Sequence, residues 1–276
     1  MTDTRRAGLM LIAPATLFIL VGFLLPVGVL LSGAFRTDAG WSLGNFVEFF
    51  TTPLYLDVFF RTFRLGLTVT AVAAVLGYIT AIAITETSPS WRGRLVALLV
   101  LPLMISPVAR TYAWLVILGR TGFLNTALQT VGLTDEPLRI LFTETAVFIG
   151  LIQLFFPLMV LPLLSSLENL PRDVIPAGRV LGASWFAIFW RVILPLTREG
   201  LVVGGTLTFV GSLTAYVTPA ILGGSKVLML ETLLYQRVSV ANDYASAGVI
   251  AVILIAMSIA TNFLLKRIAT TRRAAR

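Results

Sequence analysis

TAVFIGLIQLFFPLMVLPLLSSL, residues 145–167, runs for 23 positions without a charge between Glu144 and Glu168. A helix needs about 20 apolar residues to cross a hydrocarbon layer of about 30 Å, and this run lacks the apolar–polar alternation of a barrel strand. The next 32 residues, ENLPRDVIPAGRVLGASWFAIFWRVILPLTRE at 168–199, are polar and turn-rich, and a further uncharged run follows them. This stretch therefore predicts a spanning helix, a structured hairpin and another spanning helix in succession.

Further uncharged intervals cover 7–35, 65–85, 95–109, 200–225 and 244–265, the interval from 95 resuming after a lone Arg110 and running to 119. Six crossings are predicted. Only helices and closed barrels satisfy every backbone group in lipid, so the expected fold class is an all-α membrane protein with six transmembrane helices. Residues 1–62 are expected to form the first spanning helix and an outer interfacial segment, and 63–276 a five-helix core carrying the hairpin. Composition agrees: 57% hydrophobic and 12% charged residues leave more apolar surface than a soluble protein could cover.

An even number of crossings puts both termini on one side. With the N-terminus inside, the inner segments 1–6, 86–94, 168–199 and 266–276 hold 13 of the 21 basic residues and 5 of the 13 acids. The outer segments 36–64, 120–144 and 226–243 hold 7 bases and 8 acids, a net charge of −1. This asymmetry places both termini in the cytoplasm, most strongly through the tail Lys266-Arg267, Arg272-Arg273 and Arg276. Because the basic residues flank spans, they are assigned to the lipid surface, and no nucleic-acid partner is expected. The 29-residue run at 7–35 is too long for a signal-peptide core of about 7–15 residues and reads as an uncleaved first span.

The outer segment 36–64 carries Trp41, Phe46, Phe49, Phe50, Tyr55, Phe59 and Phe60 among its charges, which predicts a helix at the headgroup level. Segment 119–143, opening on Gly119-Arg120-Thr121-Gly122 and containing Pro137, predicts a short surface or re-entrant helix. With no histidine and no cysteine, Ser–His and Cys–His nucleophilic sites and most zinc sites are excluded. Gly223-Gly224-Ser225-Lys226 lacks the first glycine and the spacing of a nucleotide-binding loop. Arg110 is essentially the sole charge within a span, unlike the buried acids of ion-coupled carriers, so the energy for any transport is expected from another protein.

In the hairpin, Asn169-Leu170-Pro171 reads as a helix start, Arg172–Leu181 as a short helix, Gly182 as its break and Ala183–Val192 as its resumption. Small residues at Ala177, Gly178, Gly182 and Ala183 let a partner approach the backbone closely. Trp185, Phe186, Phe189 and Trp190 suit the inner lipid interface.

Here the chain resembles the integral membrane permeases of binding-protein-dependent ABC importers, in the group carrying spermidine and putrescine. Their signature, Glu-Ala-Ala, three residues, Gly, nine residues, Ile, one residue, Leu-Pro, is matched in spacing by Pro176-Ala177-Gly178, Gly182, Val192 and Leu194-Pro195. The similarity continues through Pro107–Trp114, Gly122–Asn125, Ser166–Pro171 and Thr218–Gly224. It implies a type I importer permease fold in a bacterial inner membrane, with a cytoplasmic coupling helix between helices four and five. It also implies a second homologous permease subunit, two ATP-binding cassette ATPase subunits and an extracytoplasmic binding protein. No cofactor is implied for this chain; ATP and Mg belong to the ATPase. Asp173, Pro176, Ala177, Gly178, Arg179, Gly182 and Ala183 are the expected coupling residues. Two positions depart from the signature: Pro176 stands for the usual Glu and Gly178 for the second Ala, so Asp173 or Arg179 would have to supply any charge to the ATPase.

A protonated polyamine crossing a low-dielectric layer needs aromatic faces, hydroxyls or carboxylates. Tyr112, Trp114, Tyr216, Thr218 and Glu144 are the candidates, against an interfacial-anchor role for Trp114. Arg110 is expected to pair with Glu144 or touch the binding protein; if it lines the path instead, an anionic solute such as a phosphonate or a carboxylated amine becomes credible, and the same machinery could carry a phosphonate, an opine or an amino-acid-like amine. Pro102, Pro107, Pro157, Pro162 and Pro219 are candidate bends. A self-sufficient secondary carrier is the alternative from another class.

Overall fold

The computed structural model describes residues 2–37, 40–171 and 173–270. Arg172 and the tail residues Arg272, Arg273 and Arg276 lie outside them. The elements are α1 (Thr2–Ile19), α2 (Leu25–Gly33), strands β1 (Arg36–Thr37) and β2 (Gly40–Trp41), α3 (Gly44–Thr51), α4 (Pro53–Thr85), α5 (Pro89–Met104), α6 (Pro107–Ile117) and α7 (Phe123–Thr130). They continue with α8 (Glu144–Glu168), α9 (Val174–Val180), α10 (Trp185–Ile188), α11 (Leu194–Leu196), α12 (Arg198–Leu213), α13 (Leu230–Ser239) and α14 (Tyr244–Thr270). Among the described residues, four helical stretches are long and apolar enough to cross a membrane, and five if the pair α5–α6 counts as one span.

Two compact units divide the chain, Met1–Asp57 with Leu233–Ile255 and Val58–Thr232 with Ala256–Arg276. In the first, α1 and α2 are joined by a wide turn at Leu20–Leu24, and the stretch Leu11–Gly33 keeps its apolar side chains outward, as a helix facing lipid does. Gly248 lies against the Leu30 carbonyl and Ala34, and Phe49 stacks on Tyr55 with ring centroids 5.1 Å apart.

In the second unit, α8 is the central element. Its buried residues Val147, Leu151 and Phe155 join Leu65 and Val69 of α4, while Met159, Val160 and Leu163 join Ala73 and Tyr78 of α4 and Ile188 and Ile193 of the hairpin. Against α12 the approach is backbone to backbone: a Cβ on Gly204 would lie 2.9 Å from the Met159 carbonyl oxygen.

Three expectations are corrected. The outer segment 36–64 is not one helix: it holds the short helix α3, and residues 53–64 form the beginning of α4, whose 33 residues span about 50 Å. The charges at Arg61 and Arg64 do not end that helix, because both find Glu144 as a partner. The third apolar interval is not one straight helix: α5 and α6 meet at 97°. Pro107 drives the preceding Ser106 out of the helical region, to φ −49 and ψ 129, and Ile105 is extended as well. The fifth interval is shared between α12, which ends at Leu213, and a wide helical turn at Pro219–Gly223.

The α8–α12 approach sets up a sharp contrast between neighbouring glycines. Gly204→Ala forces backbone apart and is expected to destabilise the chain by about 1–3 kcal/mol. At Gly205 the nearest atoms to an added Cβ are 3.8 Å away, so Gly205→Ala should be neutral or stabilising by up to about 1 kcal/mol. Thermal unfolding of both variants in detergent checks the pair.

Candidate functional site

The hairpin between α8 and α12 is built to hold a short helix outward. Asp173 stands at the head of α9, its carbonyl accepting from Ala177 N–H at 2.9 Å. Pro176 occupies the first turn, where a helix leaves its N–H groups without intrahelical partners, so the missing donor costs nothing there. At the other end Gly182 takes φ +75, Ala183 N–H reaches the Gly178 carbonyl at 3.0 Å and Gly182 N–H the Arg179 carbonyl at 2.9 Å. This is a Schellman closure, and the left-handed residue it needs is the glycine at the signature position. Ser184 caps the next helix, its hydroxyl accepting Ala187 N–H at 3.3 Å.

Gly178 is half-buried, and one side of it packs within the hairpin: a Cβ there would lie 3.1 Å from Cγ1 of the buried Ile188. Asp173, Pro176, Ala177, Arg179 and Gly182 are exposed and Ala183 is half-buried. The guanidinium of Arg179 lies over the Trp185 ring at 5.8 Å. The most prominent groups at the tip are Val180 and Leu181, 88% and 85% exposed, which attention to the small residues had passed over. Their sequence signal was two adjacent aliphatic residues after Arg179, just before the glycine cap.

Two polar clamps fix the base of the hairpin. Arg92, at the start of α5, donates to Glu168 Oε1 at 3.1 Å and to the Thr85 carbonyl at 2.7 Å, joining the ends of α4 and α8. A cavity of about 420 Å³ opens beside this clamp, lined by Glu86, Ile175 and Trp185 among others. On the far side, buried Thr197 donates to the Ile193 carbonyl at 2.8 Å, so the Tyr78 hydroxyl, 2.9 Å away, donates to Thr197.

The expected path residues separate into three places. Glu144, in the first turn of α8, accepts from Arg61 Nε at 3.0 Å and from Arg64 Nη2 at 2.5 Å. Its expected pairing with Arg110 is therefore corrected, because two arginines three residues apart on one face of α4 already occupy the carboxylate. Arg110 is buried and its Nη1 donates 2.9 Å to the Pro102 carbonyl, one of the acceptors left over where α5 breaks off. Thr218 is buried with its hydroxyl 3.5 Å from that of Thr111. Tyr112 is exposed on α6 and Tyr216 half-buried, while Trp114 Nε1 donates 3.3 Å to Gln153 Oε1. Gln153 was missed by sequence reading, although an amide inside an otherwise apolar run was the signal. Among the described residues, no group of three or more His, Cys, Asp or Glu is placed to hold a metal ion.

The profile of the family described as binding-protein-dependent transport system inner membrane component matches residues 73–273. The spermidine/putrescine transport system permease protein PotB of Haemophilus influenzae is 34% identical over 211 residues, covering 76% of this chain and 73% of that protein. PotB of Escherichia coli is 35% identical over 178 residues, 64% of this chain and 65% of that protein. The E. coli inner membrane ABC transporter permease protein YdcU is 28% identical over 224 residues, 75% of this chain and 71% of that protein. Among solved structures, a chain of a bacterial alginate ABC transporter in complex with its alginate-bound periplasmic protein superposes with a TM-score of 0.81 at 17% identity, covering 100% of this chain and 98% of that one. A chain of the MetNI methionine ABC transporter gives a TM-score of 0.55 at 18% identity, covering 82% of this chain and 99% of that one. At such identities the structures speak for the fold, and the family profile with the PotB similarity speaks for descent: this chain belongs to the binding-protein-dependent transport system inner membrane components, the permease subunits of ABC importers.

Proposed function

We propose that this chain translocates a small polycationic solute, spermidine or putrescine, inward across a bacterial cytoplasmic membrane, driven by ATP hydrolysed on partner subunits. The observation that carries the reading is the capped helix α9, which offers Val180 and Leu181 to a partner from a chain with no nucleotide-binding loop of its own. Two ATP-binding cassette subunits bind the coupling helices of this chain and of a second homologous permease, and Mg-ATP drives them together. A soluble extracytoplasmic protein delivers the solute to the opposite face. The polyamine assignment is supported by the PotB similarity over 76% of the chain.

Six crossings with both termini cytoplasmic complete this reading: α1 with α2, α4, α5 with α6, α8, α12 with the turn at Pro219–Gly223, and α14. The charge asymmetry of the loops supports that orientation. Residues 63–276 act as the transport core around the hairpin 168–199. Closure of the ATPases moves α9 as a rigid body, and the clamps at Arg92–Glu168 and Tyr78–Thr197 pass the motion to α4 and α8. Tyr112, Trp114, Glu144, Tyr216 and Thr218 serve the path, with Tyr112 presenting an exposed aromatic face for a cation. Arg110 stays out of it as the cap of α5, its guanidinium committed to the Pro102 carbonyl.

Purified from membranes, tagged chain should bring down an ATPase and a second permease, and ATP hydrolysis by the reconstituted complex should rise with binding protein and spermidine and not with a phosphonate. A complex lacking the ATPase, or transport by this chain alone, would refute the proposal.

Leu181→Asp leaves the fold intact, because the side chain is 85% exposed, and should weaken ATPase engagement roughly tenfold. Solute-stimulated hydrolysis in vesicles reads the loss. Pro176→Glu should alter the same coupling; an unchanged ratio of transport to hydrolysis would remove Pro176 from the contact.

Arg110→Gln should lower uptake by loosening the α5–α6 corner without changing the preference for spermidine over a phosphonate. Competition uptake assays measure that preference, and a switch toward the anion would place Arg110 in the path.

A further inference from the structure

Arg120, Arg139 and Lys226 line one open cavity of about 620 Å³, and no acidic residue lines it. Among the described residues none of the three meets a carboxylate. Their positions are fixed from beneath. Asn125 is fully buried, and its Nδ2 donates to the carbonyls of Gly119 at 2.9 Å and Leu138 at 3.1 Å while its Oδ1 accepts Leu138 N–H at 2.8 Å. Gly119 and Leu138 directly precede Arg120 and Arg139, so one carboxamide sets both arginine-bearing segments. Phe142 N–H donates 2.9 Å to the Leu222 carbonyl, and Gly224, at φ +57, brings the turn before Lys226 against the Phe142 ring.

Arg120, Arg139 and Lys226 give this open cavity a single sign of charge from three separately anchored segments, a field that favours an anionic group. An occupant from outside the chain is the natural counter-charge. The polyamine cargo does not qualify, because it is itself a cation. The apolar floor of Leu118, Ile140 and Phe142 suits a carboxylate carried on a protein surface, with an apolar group beside it, better than a hydrated free ion.

We propose that this cavity receives an acidic surface segment of the extracytoplasmic binding protein, its carboxylates meeting Arg120, Arg139 and Lys226. The inference rests on the permease reading above, in which segments 120–144 and 226–243 face outward. It adds to that reading where on this chain the delivering protein is held, and by what chemistry.

The test uses the complete importer in nanodiscs of zwitterionic lipid, titrated with its own binding protein at low and physiological salt. Affinity should fall as salt rises, and R120E/R139E/K226E should lower it roughly tenfold or more at low salt and flatten the salt dependence, with ATPase copurification unchanged. Arg139→Gln alone, a milder change, should give a smaller loss in the same direction. Carbodiimide should join the Lys226 amine to a carboxylate of the binding protein, and Lys226→Arg should keep binding while losing that crosslink. Binding insensitive to both salt and charge reversal overturns the proposal. So does a charge-dependent preference for phosphatidylglycerol nanodiscs with no effect on the binding protein, which would assign the cavity to lipid phosphate. Loss of the ATPase and second permease from the wild-type complex would instead refute the permease reading and take this inference with it.

Discussion

Hydrocarbon offers no hydrogen bonds, and the places where this chain departs from continuous helix are governed by that fact. Where α5 stops short of α6, the Pro102 carbonyl would face an apolar layer unanswered; Arg110 reaches back from the next helix and donates to it. Where the chain turns into α12, the Ile193 carbonyl accepts both the N–H and the hydroxyl of Thr197, and Tyr78 in α4 donates to that hydroxyl. Before α13, the Thr62 hydroxyl donates to Val58 within α4 and accepts the backbone N–H of Leu230, whose residue begins that helix. Irregular backbone is tolerated here because side chains from α4 and α6 replace the missing intrahelical partners.

The same logic explains why so few charges enter the layer and why those at its margin come in sets. Glu144 is shared between Arg61 and Arg64, and Glu168 is met by Arg92. One set stands at the head of α8 and the other at its end, so the element at the centre of the second compact unit is tethered through its terminal carboxylates. Exposed pairs of this kind contribute little to stability singly, but they fix the register of α4 and α5 against α8.

Much of this was legible in sequence because lipid imposes long apolar runs that a window of charges delimits sharply. The helical class, the break at Gly182 and the distinct polar hairpin followed from counting and from the demand of a left-handed cap. The 97° corner between α5 and α6 was not legible as such, since Pro102 and Pro107 announce a disturbance without its angle. The Arg110 partner was misread for a related reason: sequence suggests charge pairs, whereas the strongest local need was an orphaned carbonyl. Ion pairs between distant segments, such as Arg92 with Glu168, carry no local signal at all. Nor does the hold of Asn125 on Gly119 and Leu138, which depends on a loop closing over 13 residues.

The two departures from the importer signature make sense together once the hairpin is seen from its own side. A helix that lacks a glutamate at its first signature position has less charge with which to fix its orientation against a partner. Here the orientation is set internally: Gly178 lets α9 settle on Ile188, Pro176 stiffens the first turn, and the Schellman closure at Gly182 ends the helix at a defined residue. A helix so constrained loses little further freedom on docking, and that lost freedom is one of the main costs of association. In the docking proposed above, the contact that remains to be made is largely apolar, through the exposed Val180 and Leu181, and asks of an ATPase groove shape more than charge.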